Sequence, residues 1–129
     1  MQIALTQGVD PLIEGILGRW FTAEYRHAHP DEVAKIRSLL QQVSPAGFAA
    51  CCAAIRDMDQ RESIRRIAAP TLIIAGRHDP ATPVEAGEFM RSRIPDAALT
   101  ILAAAHLSNI EKADDYTERV LGFLLPPHS

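Results

Sequence analysis

"LIIAGRHDPATP" (residues 72–83) joins an apolar run to a polar tail carrying Arg77, His78 and Asp79. Residues 71–75 are apolar and β-branched with no polar alternation, as expected of a strand covered on both faces in a parallel sheet. An acid just past the carboxyl end of such a strand sits at the mouth of an α/β sheet, where ligands bind. Aspartate before proline also shapes turns and caps helices, so Asp79 ahead of "PATP" admits both readings.

Downstream, Thr82 and Glu85 have capping-box spacing around Pro83, and Val84, Phe89, Met90 and Ile94 are expected to face the core of the helix they open. Residues 99–102 form a second strand and "AAAHLSN" a loop. A last helix from about Asp114 is expected to bury Tyr116, Val120, Leu121, Phe123 and Leu124 before Pro126 and Pro127 stop it. A strand, a helix and a strand imply a parallel pair with a right-handed crossover. Asp79 and His106 then stand at the same end of the sheet on neighbouring loops. That placement suits an acid–imidazole pair: the carboxylate fixes the tautomer and stabilises the protonated ring, while the other nitrogen faces a nucleophile.

Upstream of the strand the pattern is helical. Asp10 and Pro11 open a helix with Leu12, Ile13, Ile16, Leu17, Trp20 and Phe21 on one stripe. His29 and Pro30 start a second, with Asp31 and Glu32 in its first turn and Val33, Ile36, Leu39, Leu40 and Val43 inward. Ser44 and Pro45 begin a third, "SPAGFAACCAAIRDMD", and a short fourth follows Asp59, which has capping-box spacing to Glu62. The expected order is α, α, α, α, β, α, β, α.

The 129 residues amount to about one domain, 47% hydrophobic and 22% charged, a globular balance. A net charge of −3, from 16 acids and 13 bases spread along the chain, offers no basic field for nucleic acid. Neither a signal peptide nor a membrane-spanning run is apparent, so a cytoplasmic location and no membrane partner are expected. Cys51 and Cys52 are adjacent, too close for an unstrained bridge, and read as small core residues. Two parallel strands leave unpaired outer edges, so the chain is expected to be the carboxyl-terminal part of a larger α/β protein, with Met1 either internal or a new start.

"PTLIIAGRHDPATP" and "AAAHLSNIE", with "RWFT" and "GFAACCAAIRDMD" ahead of them, resemble the carboxyl-terminal half of the 3-oxoadipate enol-lactonases, bacterial α/β-hydrolases of aromatic catabolism. The resemblance covers nearly the whole chain. It implies an α/β class: a partial α/β-hydrolase fold in which a helical cap precedes two parallel strands with flanking helices. Residues 1–59 would be the cap region and residues 60–129 the carboxyl-terminal part of the core. It further implies that Asp79 matches the triad acid and His106 the triad base, and that the substrate is an enol-lactone with a free carboxylate, opened by water without a cofactor. Arg19, Trp20 and Arg56 are the cap candidates for substrate contact, since a guanidinium can grip a carboxylate through two parallel hydrogen bonds.

The departure from the family is severe. None of Ser38, Ser44, Ser63, Ser92, Ser108 or Ser129, and neither cysteine, lies in G-x-S-x-G, and the early oxyanion-hole loop is absent too. Little hydrolysis is therefore expected from the chain alone. A different class of reading is a non-catalytic module, a homo-oligomer pairing its strand edges. A third is a related hydrolase acting on a C–C bond or haloalkane substrate.

Plainer roles stand beside the chemical ones. His106 could be a solvated loop histidine, Trp20 and Phe21 core packing, and Arg65 and Arg66 a solvated face. His27 and His29 form no metal site without further ligands, and His29 serves as a helix start. His78, beside Asp79, is the alternative acid–base residue. Glu111 is read first as a cap to Ser108 and second as a partner of the histidine loop.

Overall fold

The computed structural model describes residues 1–125, which divide into two compact units. Pro126 and Pro127, the expected helix stop, lie outside the described residues. The first unit, residues 1–18 and 23–59, is helical: α1 (Gln2–Gln7), α2 (Asp10–Trp20), α3 (Ala23–Ala28), α4 (Pro30–Gln41) and α5 (Pro45–Asp57). The last two residues of α2 count with the second unit. Gly8, at φ 83°, turns the chain from α1 into α2, a conformation that costs glycine little. Ser44 caps α5 by accepting from the Gly47 amide at 3.0 Å, with Pro45 in the first turn. Asp31 and Glu32 sit at the positive end of the α4 dipole.

Ala4, Val9, Ile13, Ile16, Leu17, Val33, Leu40 and Ala49 are the buried apolar residues of this unit. The inward stripe of α4 is narrower than its sequence suggests: Leu39 and Val43 are exposed. At 3.6 residues per turn Leu39 projects about 120° away from Val33, off the line joining Val33 to Leu40. The same geometry corrects the reading of the cysteines. Cys51 follows the buried Ala49 by two positions, about 200° around α5, and is exposed, while Cys52 is half-buried.

The second unit comprises residues 19–22 and 60–129. Within its described part a 3₁₀ turn (Ser63–Arg66) precedes β1 (Thr71–Gly76), α6 (Val84–Arg93), β2 (Ala97–Leu102), α7 (Ser108–Glu111) and α8 (Ala113–Leu124). The turn replaces the expected fourth helix, and its N-cap, Glu62, makes no side-chain cap bond. The strands are parallel and in register from Thr71↔Ala97 to Gly76↔Leu102, so β2 begins two residues earlier than its apolar run. The partial α/β-hydrolase architecture is that expected: helices, then two parallel strands joined by a crossover helix.

Helix α6 lies on one face of the sheet. A Cβ on the buried Gly87 would stand 3.1 Å from Leu99 and 3.5 and 3.6 Å from Ala75 and Ile73. Glycine thus brings the helix close to the side chains that alternate onto that face. The opposite face is less covered than a continuous apolar run implies. Leu72 and Ile74 line an open groove of about 440 Å³ with Tyr116, Val120, Phe123 and Leu124, and its polar wall is His106, Ser108 and Asn109. Correspondingly, α8 buries none of its residues, and Leu121 and Leu124 are 49% and 63% exposed, since only two strands lie beneath its apolar stripe. Phe89 and Met90 of α6 are also partly exposed, while Ile94 is buried.

Among the described residues no single helix is long and apolar enough to cross a membrane; α4 and α5 meet that test only as a pair bent by 96°.

Past the strand ends the pairing continues. Arg77 N donates to Leu102 O at 2.8 Å and His78 N to Ala104 O at 2.9 Å. Gly76 makes this approach feasible: a Cβ there would meet Ala105 O at 2.3 Å and Ala104 O at 2.7 Å, both rigid backbone atoms. Gly76→Ala is therefore expected to cost about 3 kcal/mol or more in urea unfolding. Unchanged stability would mean the two loops do not meet at this point.

Candidate active site

Asp79 leaves β1 on a turn closed by its own amide, which donates to Gly76 O at 3.2 Å. Its carboxylate, in a residue only 6% exposed, uses its two oxygens differently. Oδ1 accepts from the amides of Ala81 (2.7 Å) and Thr82 (3.1 Å), the turn-forming role expected of aspartate before "PATP". Oδ2 accepts from the Thr82 hydroxyl at 2.6 Å and faces His106 Nδ1 at 2.7 Å. One oxygen thus shapes the turn, and the other meets the imidazole of the second loop.

Burial alone would raise the Asp79 pKa. The hydrogen bonds outweigh it, that from the Thr82 hydroxyl foremost, then His106 and the amides of Thr82 and Ala81, and they hold the carboxyl below its ordinary value. An ionised carboxylate only accepts, so Nδ1 carries the proton of this hydrogen bond, and the uncharged form of the ring offers Nε2 as an acceptor. Thr82 Oγ1 also stands 3.3 Å from Nδ1. The expected capping box is not formed: Pro83 is the N-cap of α6 without a side-chain cap bond, and the Thr82 hydroxyl serves Asp79 instead. The spacing Asp79-x-x-Thr82 was the available signal, because an aspartate at a turn reaches the groups two and three residues on.

His106 itself has a 35% exposed side chain, with the Trp20 ring near it at 6.3 Å between centroids and 25° between planes. The neighbouring Ala104 and Ala105 are buried. Backbone bonds hold the loop on both sides of the histidine. Ala105 N donates to Glu111 Oε2 at 2.9 Å, and Leu107 N to Trp20 O at 2.9 Å. Glu111 is thus a partner of the histidine loop rather than a cap for Ser108; α7 has Leu107 as its N-cap and no side-chain cap bond.

Of the expected substrate contacts, Trp20 stands beside His106, half-buried, and Arg19 is exposed next to it in the chain. Arg56 belongs to the helical unit, where its Nε and Nη2 donate to Asp57 at 2.6 and 2.7 Å. Phe21 is buried, in keeping with its core reading. His78 is exposed and contributes its amide to the loop pairing. His29 is the N-cap of α4 with its ring 4.5 Å from that of Tyr25. Among the described residues no three His, Cys, Asp or Glu side chains converge as a metal site. The arrangement at the sheet edge can take a proton at Nε2 and stabilise the resulting imidazolium through Asp79.

Residues 17–113 match the model of the alpha/beta hydrolase fold family. The chain is 36% identical over 119 residues to 3-oxoadipate enol-lactonase 2 of Acinetobacter baylyi, covering 92% of this chain and 45% of that protein. It is 33% identical over 117 residues to 3-oxoadipate enol-lactonase 1 of the same organism, covering 91% and 44%. The crystal structure of the enol-lactonase from Burkholderia xenovorans LB400 superposes with a TM-score of 0.94 at 37% identity, covering 95% of this chain and 47% of that one. The chain thus spans about half the length of the relatives it matches. A parallel strand pair with an acid after one strand and a histidine after the other agrees with the match, and the chain belongs to the alpha/beta hydrolase fold family.

Proposed function

We propose that this chain supplies the acid–histidine half of an ester- or lactone-hydrolysing site, with an enol-lactone bearing a free carboxylate as the substrate and 3-oxoadipate as the product. The 2.7 Å contact of His106 Nδ1 with Asp79 Oδ2 carries the reading, and likeness to proteins named as enol-lactonases supports the substrate class. His106 Nε2 takes the proton of a hydroxyl whose oxygen adds to the lactone carbonyl, and Asp79 stabilises the imidazolium. The ring C–O bond then breaks, the proton passes to the leaving enolate oxygen, and the enol of the resulting acyl ester tautomerises to the ketone. Water, activated by the same nitrogen, then releases the product.

The sequence holds no G-x-S-x-G. The nucleophile and the oxyanion-binding amides are therefore assigned to sequence beyond these 129 residues, and little turnover is expected from the chain alone. Trp20 forms one wall beside His106, and Arg19 is proposed to bind the substrate carboxylate. Arg56 is proposed for the same task, in which it exchanges Asp57 for the substrate. Residues 1–59 are read as the cap, the location as cytoplasmic, and no cofactor is invoked. A second reading, a homo-oligomer without catalysis, is favoured by the groove along Leu72 and Ile74, which leaves apolar surface to be covered.

Two results are expected. Because the Asp79 carboxyl is held below its ordinary value of 3.8, its contribution to stability is complete above that pH and lost as pH falls through the lowered value. Asp79→Asn should cost about 1–3 kcal/mol at neutral pH and flatten the acid limb of the stability profile; parallel profiles for the two proteins would contradict the charge assignment. Secondly, mixing the chain with a separately made segment carrying a G-x-S-x-G turn should give a complex, sized by light scattering, that opens the enol-lactone. His106→Ala should lower that rate about a thousandfold or more. A stable complex without activity rejects the hydrolase reading, and a self-associated chain that refuses the segment favours the oligomer.

A further inference from the structure

We infer that Glu111 is a positioning residue that sets both rings of the site, His106 and Trp20, by tying the histidine loop to residues 19–22. The inference rests on the reading of His106 as the base. One carboxylate gathers three donors from two distant stretches of chain. Oε2 accepts the Ala105 amide at 2.9 Å and the Thr22 amide at 3.3 Å, and Oε1 accepts the Thr22 hydroxyl. Ala105 immediately precedes His106, and it is only 2% exposed, so its amide has no solvent to fall back on when the carboxylate is removed.

The residue after the histidine is held from the same segment, since Leu107 N donates to Trp20 O. Leu107 O in turn accepts the amides of Ile110 (2.9 Å) and Glu111 (3.0 Å), which fixes α7, and with it the Glu111 backbone, directly after the loop. A closed circuit results: Trp20 to Leu107, Leu107 to Glu111, and Glu111 back to Ala105 and Thr22. His106 is the residue inside the circuit whose side chain turns out of it, toward Asp79. The backbone on either side of Trp20's neighbour Phe21 is fixed by the same bonds, which holds the indole beside the imidazole. The carboxylate's hydrogen bonds go to Ala105 and Thr22, the neighbours of the two ring residues, so it acts through the loop.

The test is amide hydrogen exchange and proton NMR on the full 129-residue chain, which reads the loop without requiring turnover. In Glu111→Ala the Ala105 amide should exchange about tenfold faster or more, and the low-field Nδ1 proton shared with Asp79 should broaden or disappear. The amides of Ile73 and Ala75 in β1 should remain protected. Glu111→Gln, whose carbonyl can still accept both amides, should restore the Nδ1 signal. Where Glu111→Ala also unprotects β1, Thr22→Val, which removes only the hydroxyl donor, decides with the same readouts. Unchanged Ala105 exchange with an unchanged Nδ1 signal in Glu111→Ala overturns the inference, as does a Gln variant no better than Ala. Failure of the hydrolase reading would look different: an inactive reassembled complex with Glu111-dependent exchange intact.

Discussion

The parallel ladder between β1 and β2, running on past the strand ends, is the constraint on which the site depends. Were these strands antiparallel, Asp79 and His106 would leave the sheet at opposite ends, a full strand length apart. Being parallel, they place the acid three residues beyond Gly76 and the histidine four beyond its partner Leu102. Two further bonds, from Arg77 to Leu102 and from His78 to Ala104, delay the parting of the loops until the side chains have met. Gly76 matters because the chain after β2 crosses where its side chain would be.

Burial and charge are reconciled at Asp79 by donor count. A carboxylate so enclosed is unfavourable unless its lone pairs are filled, and four donors fill them. The division of labour between its oxygens lets one residue shape the turn and orient a ring. Thr82 is the link between those tasks, giving its amide to Oδ1 and its hydroxyl to Oδ2.

Much of this was legible in the sequence, for particular reasons. Unbroken apolar runs and the helix between them announced a parallel pair, and with it the meeting of Asp79 and His106. Ser44 and Pro45 announced α5 because local capping chemistry needs no distant partner. What stayed hidden depended on tertiary context. Capping-box spacing misread Thr82 and Glu62, since the same side chains find other partners or too short a helix. The bonds from Thr22 to Glu111 span 89 positions, beyond any local pattern. Burial was overstated for α8 and for Cys51, because periodicity identifies an apolar face without saying how much of it is covered.

The site depends on the Asp79–His106 hydrogen bond, and the imidazole nitrogen shifts of ¹⁵N-labelled protein at neutral pH test that bond most directly. A proton held on Nδ1, lost to a tautomer mixture in Asp79→Asn, is the predicted result. A ring whose single proton sits on Nε2, or one indifferent to the loss of the Asp79 charge, would contradict it.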